Sequence, residues 1–289
     1  MASFSQWVAA ARLRTLPMAI APVVVGSAAA AQLGSFHLGK ALLALIVALA
    51  LQIGVNYSND YSDGIRGTDD HRVGPFRITG SGASAPVTVR NMAFTFYGVA
   101  AVAGLALTLW ANAWWLILVG VAAIVAAWYY TGGKNPYGYL GLGEIFVFIF
   151  FGLVAVLGTT YTQAGQLSGL AWAGAVGTGL VSTALLMANN VRDIPTDRQA
   201  GKRTLAVRLG DTKARWSYPV MLAVAVAAPL FFVREYPWMW LMLILLVISL
   251  RPSLIMLEAK ERGALIPVLK MTGLFGILYA ILFTLGIAL

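Results

Sequence analysis

Nine apolar stretches of about 20 residues recur along the chain, near 17–34, 39–58, 92–111, 114–130, 144–162, 170–190, 215–233, 238–257 and 267–288. Each is long enough to cross the hydrocarbon core of a bilayer as a helix. A segment in lipid must satisfy its own backbone hydrogen bonds, so only helices and closed barrels span membranes. These runs are continuously apolar and do not alternate with period two, which argues against barrel strands. Charged residues make up only 11% of the chain, and mean hydropathy is +0.79. The longest polar stretches, 59–91 and 191–214, are too short for a soluble domain. The chain therefore reads as an all-α polytopic membrane protein, one transmembrane domain over 1–289 with nine transmembrane helices. The first run follows Arg12 and Arg14 as a secretory signal would, but the many spans behind it make it a retained first span.

Nine crossings place odd and even loops on opposite sides. All but Lys40 and Arg234 of the 20 basic residues then share one side, which the positive-inside rule assigns to the cytoplasm. The N-terminus lies on that side too, and the expected location is the plasma membrane. The net charge of +9 is accounted for by orientation and by attraction to anionic lipid. Membrane lipid, and no nucleic acid, is the expected partner. The chain has no cysteine, which excludes disulfides and thiol catalysis. His37 and His71 fall too far apart to form a zinc site. The sequence carries no sign of oligomeric state. Residues 3–13 put Phe4, Trp7, Val8 and Ala11 on one helical face, as in a short interfacial helix or an aromatic belt. Trp114, Trp115, Trp238 and Trp240 sit at span ends and read as belt residues.

Carboxylates are scarce, yet they cluster. The stretch NYSNDYSDGIRGTDD, residues 56–70, holds four of the eleven acidic residues, and ANNVRDIPTDRQAGKRT, residues 188–204, holds two more. Both follow apolar runs, and both fall on the cytoplasmic side. If the second span continues through the first stretch, Asn56, Asp60 and Asp63 project from one helical face. Asn189, Asp193 and Asp197 do the same in the second, with Pro195 expected to end or kink that helix before Asp197. The spacing Asn-x-x-x-Asp occurs in both, as two matching half-sites would show.

Carboxylates this close repel one another and are costly to desolvate near a membrane. Something cationic should compensate. Oxygen donors of the Asp and Asn type suit a hard ion such as Mg2+, which is usually held by a few carboxylates together with substrate phosphates. Arg66, Arg72 and Arg77 follow the first cluster; Arg192, Arg198, Lys202 and Arg203 surround the second. Acid and base in one place suggest a metal-bridged phosphate, with Lys and Arg taking the remaining oxygens. A third segment on the same side, YYTGGKNPYGYLGLGE, brings Lys134 within reach of a phosphate. It also brings Tyr130, whose ring face suits a developing cation. Glu144 opens a span, where a negative charge suits the helix dipole. Asp69, Asp70 and Asp211 read as solvated charges.

The two Asp-bearing stretches, the YTGGK loop, the GKRTLAVRLG tail and ARLRTLPMAIAPVVVG near the start together resemble the intramembrane aromatic prenyltransferases of the UbiA superfamily. Within it, the chain is most similar to the actinobacterial naphthoate polyprenyltransferases of menaquinone biosynthesis. The resemblance covers essentially the whole chain. It implies nine transmembrane helices around a central cavity, with both motifs binding Mg2+, as two ions, and the diphosphate of a polyprenyl diphosphate donor. By motif position, Asn56, Asp60 and Asp63 would form the first metal site and Asn189, Asp193 and Asp197 the second. Lys134 and Lys202 would contact the diphosphate, and Tyr130 would face the allylic carbon. The family's first motif often carries its second Asp one residue later, at the place of Gly64 here. Asp63 and Asp69 thus both stand as the residue completing that site. Arg14, Arg72 and Arg77 are candidates for the acceptor carboxylate.

The implied reaction is prenyl transfer to 1,4-dihydroxy-2-naphthoate with loss of CO2 and diphosphate, giving demethylmenaquinol. The same chemistry on 4-hydroxybenzoate, homogentisate or a sugar phosphate is an alternative. So is a secondary transporter, although its coupling carboxylates would sit near mid-span, and these sit at span ends. Donor chain length is set by cavity depth and is not written in the motifs.

Overall fold

A computed structural model describes residues 2–67 and 76–289, and each of the nine apolar runs in it is a helix. In chain order the helices are α1 (Phe4–Ala10), α2 (Pro17–Gln32), α3 (Leu38–Ile65), α4 (Pro86–Ala111), α5 (Leu116–Tyr129) and α6 (Gly143–Ala164). There follow α7 (Gly169–Gln199), α8 (Leu205–Leu209), α9 (Asp211–Leu230), α10 (Pro237–Glu258) and α11 (Ile266–Ala288). No strand occurs among the described residues. Six helices are long and apolar enough to cross a membrane alone, and a seventh results if α1 and α2, bent by 48°, count as one span. Length and composition thus support six or seven of the nine expected crossings. The shortfall lies in the bent α2, in α5 with 14 residues, and in α9, whose first turns carry charge. Large apolar side chains such as Val102, Leu118 and Val247 point outward at 69–75% exposure, as a lipid-facing surface requires.

The bundle is organised around α7. Two-thirds of its apolar window is buried, against 28% for α3, and it packs on α2, α6, α9 and α11. Such burial in lipid demands close backbone approach, which small residues allow. Gly152 of α6 and Gly179 of α7 meet at one crossing. A Cβ on Gly152 would lie 2.6 Å from both Ala175 O and the Gly179 Cα, so no side chain fits there.

Pro195 does not end α7, which continues to Gln199. Proline has no N–H to give the carbonyl four residues back. That carbonyl, Val191 O, accepts instead from Arg262 Nη1 at 3.0 Å. Arg262 also reaches Asp211 at 2.6 Å, and Arg215 reaches the same carboxylate at 3.0 Å. Asp211 is therefore a joint between α9 and the segment before α11, although its side chain remains 42% exposed.

On the other side of the molecule α3 packs along α4, and α5 packs on these two. The short α1 is closed by a capping box between Ser3 and Gln6. Trp7 on α1 meets the Tyr57 ring edge-on at 5.6 Å, and Tyr57 Oη donates to Trp7 O at 3.0 Å. The N-terminal segment is thereby held against α3. Between the two groups of helices lies a cavity of about 590 Å3, lined from α2 to α7 and by the segments at their ends.

Candidate active site

The cavity has two chemically distinct ends. Ala48, Leu51, Ala100, Ile124, Phe150 and Val154 are among the apolar residues of its inner part. Its mouth is polar, because α3 and α7 continue beyond their apolar runs into the two Asp-bearing stretches. From α3 it receives Gln52, Asn56, Asn59 and Asp63, and from α7 Asn189, Asn190, Asp193 and Asp197. Lys202, Arg77, Arg12, Arg14, Tyr130 and Tyr139 line it as well.

Asp63 is the hub. It is 3% exposed. Lys202 Nζ donates to Asp63 Oδ1 at 3.1 Å, Tyr139 Oη donates to the same oxygen at 2.7 Å, and Arg77 Nη2 stands 3.8 Å from Oδ2. Lys202 also lies over the Tyr139 ring, 4.5 Å from its centroid. Burial would lower the Lys202 pKa, but the carboxylates of Asp63 and Asp197 and the tyrosine beside it raise it above the ordinary lysine value. The ammonium is therefore charged at neutral pH. Its position follows from the turn after α7, where Lys202 N donates to Asp197 O at 2.8 Å and Gly201 has φ +73°.

On α7 a guanidinium fork holds the second motif. Arg192 donates to both Asp193 oxygens at 2.7 Å and to Asn189 Oδ1 at 2.9 Å. Asp197, 9% exposed, is near Thr204 Oγ1 at 3.5 Å. On α3, Asn56 Nδ2 donates to Ala11 O at 2.9 Å and to Thr15 Oγ1 at 3.1 Å. A carbonyl only accepts, so the Asn56 nitrogen faces the N-terminal segment and its oxygen is the atom left for the cavity. Arg12 begins the turn after α1 with φ +54°, a left-handed conformation rare outside glycine. This break brings Arg12 and Arg14 to the cavity wall.

Several expected site residues stand elsewhere. Asp60 accepts from Thr79 N at 2.9 Å and Ile78 N at 3.0 Å, and it does not line the cavity. The cavity face of α3 carries Gln52, Asn56, Asn59 and Asp63; at about 100° per residue its centre lies roughly 70° from Asp60. Asp60 thus anchors the backbone of 78–79 and lies off the cavity-facing side of α3. Arg66 donates to Thr131 O and Gly133 O and so ties α3 to the segment after α5. Lys134 and Arg198 are exposed and outside the cavity lining. Arg72 and Asp69 lie outside the described residues. Glu144 stands in the first turn of α6, where the helix dipole favours it, and it is also buried: it is 3% exposed and accepts from Asn190 Nδ2 at 2.9 Å through Oε1. Asn59, Asn190, Arg12 and Tyr139 were missed in the sequence. The first two had a readable signal, being polar residues on the same faces as the motif residues.

The site's donors suit a hard cation. They are oxygens of Asp and Asn, from two helices facing one cavity. Among the described residues no three His, Cys, Asp or Glu side chains are close enough to hold an ion by themselves. That is the arrangement for Mg2+ held by one or two carboxylates and completed by substrate phosphate. The residues fit such an ion.

A deep apolar cavity with carboxylates and cations at its mouth defines an intramembrane enzyme for a long apolar substrate with an anionic head. The chain belongs to the UbiA prenyltransferase family, whose model matches residues 19–275. It is 53% identical over 281 residues to a Mycobacterium tuberculosis protein named 1,4-dihydroxy-2-naphthoate octaprenyltransferase, covering 97% of this chain and 96% of that one. An Escherichia coli protein of the same name is 38% identical over 293 residues, covering 98% and 95%. Among solved structures, a UbiA homologue from Archaeoglobus fulgidus bound to GPP and Mg2+ matches with TM-score 0.67 at 14% identity, covering 98% of this chain and 100% of that one. An apo UbiA homologue from Aeropyrum pernix matches with TM-score 0.69 at 16% identity, covering 93% and 96%. These two likenesses establish the shared fold.

Proposed function

We propose that this chain transfers a polyprenyl group from a polyprenyl diphosphate to 1,4-dihydroxy-2-naphthoate, forming demethylmenaquinol for menaquinone biosynthesis. The observation that carries the reaction class is the two-ended cavity, with oily walls and a mouth of paired carboxylates and cations. The acceptor follows from the names of the relatives, which are similar over nearly the whole chain.

The chemistry is a substitution at an allylic carbon. The C–O bond to diphosphate breaks, with its electron pair leaving on oxygen. A bond forms from the allylic carbon to the ring carbon that bears the carboxylate. The bond to CO2 then breaks, and its electrons restore the aromatic ring. An allylic diphosphate ionises slowly until the charge gathering on its leaving group is balanced. Lys202 and Arg77, fixed at the mouth, are placed to meet diphosphate oxygens. Asn56, Asp63, Asn189, Asp193 and Asp197 would hold Mg2+, with two ions as our expectation. The bound ion supplies Lewis-acid charge to the diphosphate. Tyr130 lines the same cavity, and its ring face suits the allylic cation. The apolar wall holds the tail and keeps water from that cation. The mouth faces the cytoplasm by the distribution of Lys and Arg.

One assay tests reaction, acceptor and orientation together. Sealed membrane vesicles carrying the protein receive a polyprenyl diphosphate, Mg2+ and a panel of aromatic acids, and products are identified by mass. We expect prenylated, decarboxylated naphthoate from inverted vesicles, with little from right-side-out ones. A prenylated 4-hydroxybenzoate or homogentisate as main product would replace the acceptor. Equal turnover in both vesicle types, with both shown to be sealed, would refute the orientation.

A further inference from the structure

Two carboxamides in the cavity wall are locked by partners outside the metal-binding set. Asn190 is 7% exposed, and its Nδ2 donates to Glu144 Oε1 at 2.9 Å. Because that oxygen accepts, the amide nitrogen must face it, and Asn190 Oδ1 is turned the other way. Asn59 is 8% exposed, and Thr131 Oγ1 donates to its Oδ1 at 2.8 Å. That leaves the Asn59 Nδ2 hydrogens for other use. Neither Asn190 Oδ1 nor Asn59 Nδ2 has a protein partner among the described residues. Both residues line the cavity.

The two locks flank one ring. Thr131 follows Tyr130 in sequence. Glu144 follows Gly143, where an added Cβ would meet the Tyr130 ring at 3.1 Å; one on Gly138 would meet it at 3.0 Å. The tyrosine is thus gripped by glycine backbone; one oriented amide is tied to Thr131, its neighbour in the chain, and the other to Glu144, the neighbour of Gly143. Glu144 is an expensive lock. It is 3% exposed, and its Oε2 is buried without a hydrogen-bond partner among the described residues. A buried carboxylate with an unmatched oxygen costs stability, which points to a task beyond packing.

We propose that these amides bind the polar edge of the aromatic acceptor: Asn190 Oδ1 accepts from a ring hydroxyl, and Asn59 Nδ2 donates to the neighbouring carboxylate. Glu144 and Thr131 are the positioning residues. One accepting and one donating amide in the same cavity wall match an aromatic acid with an adjacent hydroxyl. The arrangement holds the ring next to Tyr130, where the allylic carbon arrives. The proposal rests on the functional reading above and deepens it.

The test compares two ligands on one sample. Binding of 1,4-dihydroxy-2-naphthoate and of 2-naphthoate, which lacks both hydroxyls, is followed by tryptophan fluorescence. The protein is in anaerobic detergent solution, without donor or metal. The unaltered protein should prefer the hydroxylated acid by about tenfold, as one oriented hydrogen bond provides. Asn190→Ala should abolish the preference. Glu144→Gln, which lets the amide turn round, should reduce it several-fold, while KM for the polyprenyl diphosphate stays within about twofold. The readout is a ratio of affinities, so a partly misfolded preparation does not shift it. If both variants keep the full preference while the unaltered protein turns over the naphthoate, this assignment is overturned and the function stands. If the unaltered protein prenylates no aromatic acid, the functional reading falls and takes this assignment with it.

Discussion

Chelating divalent cations should abolish prenyl transfer, and added Mg2+ should restore it, while the melting temperature of the purified protein stays almost unchanged. The two halves of this result have different causes. Ionisation of the donor needs charge balance on the leaving diphosphate, and in the proposed mechanism the metal supplies it together with Lys202 and Arg77. The fold does not need the ion. Asp63 is already balanced by Lys202 and Arg77, and Asp193 by the fork of Arg192. Turnover at the full rate in a metal-free preparation would refute the mechanism. A collapse of the melting temperature on chelation would show instead that the metal is a structural staple.

A second pair of measurements separates roles within the mouth. Lys202→Ala removes the cation proposed to meet diphosphate; Asp193→Asn removes a charge from the proposed metal-binding set while keeping size. Each should lower kcat/KM by about 10²-fold or more, since a lost transition-state contact of roughly 2.7 kcal/mol gives that factor. Raised Mg2+ should partly rescue Asp193→Asn and leave Lys202→Ala unimproved, which should show weak donor binding or slow ionisation. Acceptor affinity should change little in either, in contrast to the Asn190 and Glu144 variants. Both variants should fold. Asp63 keeps Arg77 and Tyr139 when Lys202 is lost, and the Arg192 fork keeps Asn189. Near-normal turnover in both would remove these residues from the site.

The helices were legible because lipid leaves so few options: each of the nine apolar runs is helical, although only six or seven spans pass on length and composition. Their ends were less so. The apolar signal on α3 fades near 58 and on α7 near 190, yet these helices reach Ile65 and Gln199. Both continue because their polar residues face a cavity, which hydropathy does not register. Pro195 is a helix breaker in isolation; only the fold could bring Arg262 to the carbonyl it leaves unmatched. Asp60 shows the limit of periodicity. It lies within about 40° of Asn56 on a helical wheel, but the wheel does not say which direction is the cavity. The 78–79 backbone, distant in sequence, decided that. Lys134 was drawn in by its charge and by the resemblance, Arg198 by its charge; both lie outside the cavity lining, and basic residues flanking apolar helices have orientation as a sufficient reason to exist.

The shortness of α5 reaches beyond the protein into the lipid. Its 14 residues span about 21 Å at 1.5 Å per residue, some 9 Å less than a typical hydrocarbon core of about 30 Å. Trp114 and Trp115 at one end and Tyr129 at the other, all half-exposed, mark where headgroups would settle. Hydrophobic mismatch of this size is relieved by local thinning of the bilayer or by tilt. Since α5 is also a wall of the cavity, thinning there lowers the headgroup plane toward Tyr130 and Thr131. A polyprenyl diphosphate, itself a lipid with its charge at that plane, then has less depth to cover before reaching Lys202. We therefore expect the catalytic rate to vary with acyl-chain length in the surrounding membrane, and reconstitution in vesicles of graded thickness would read it directly.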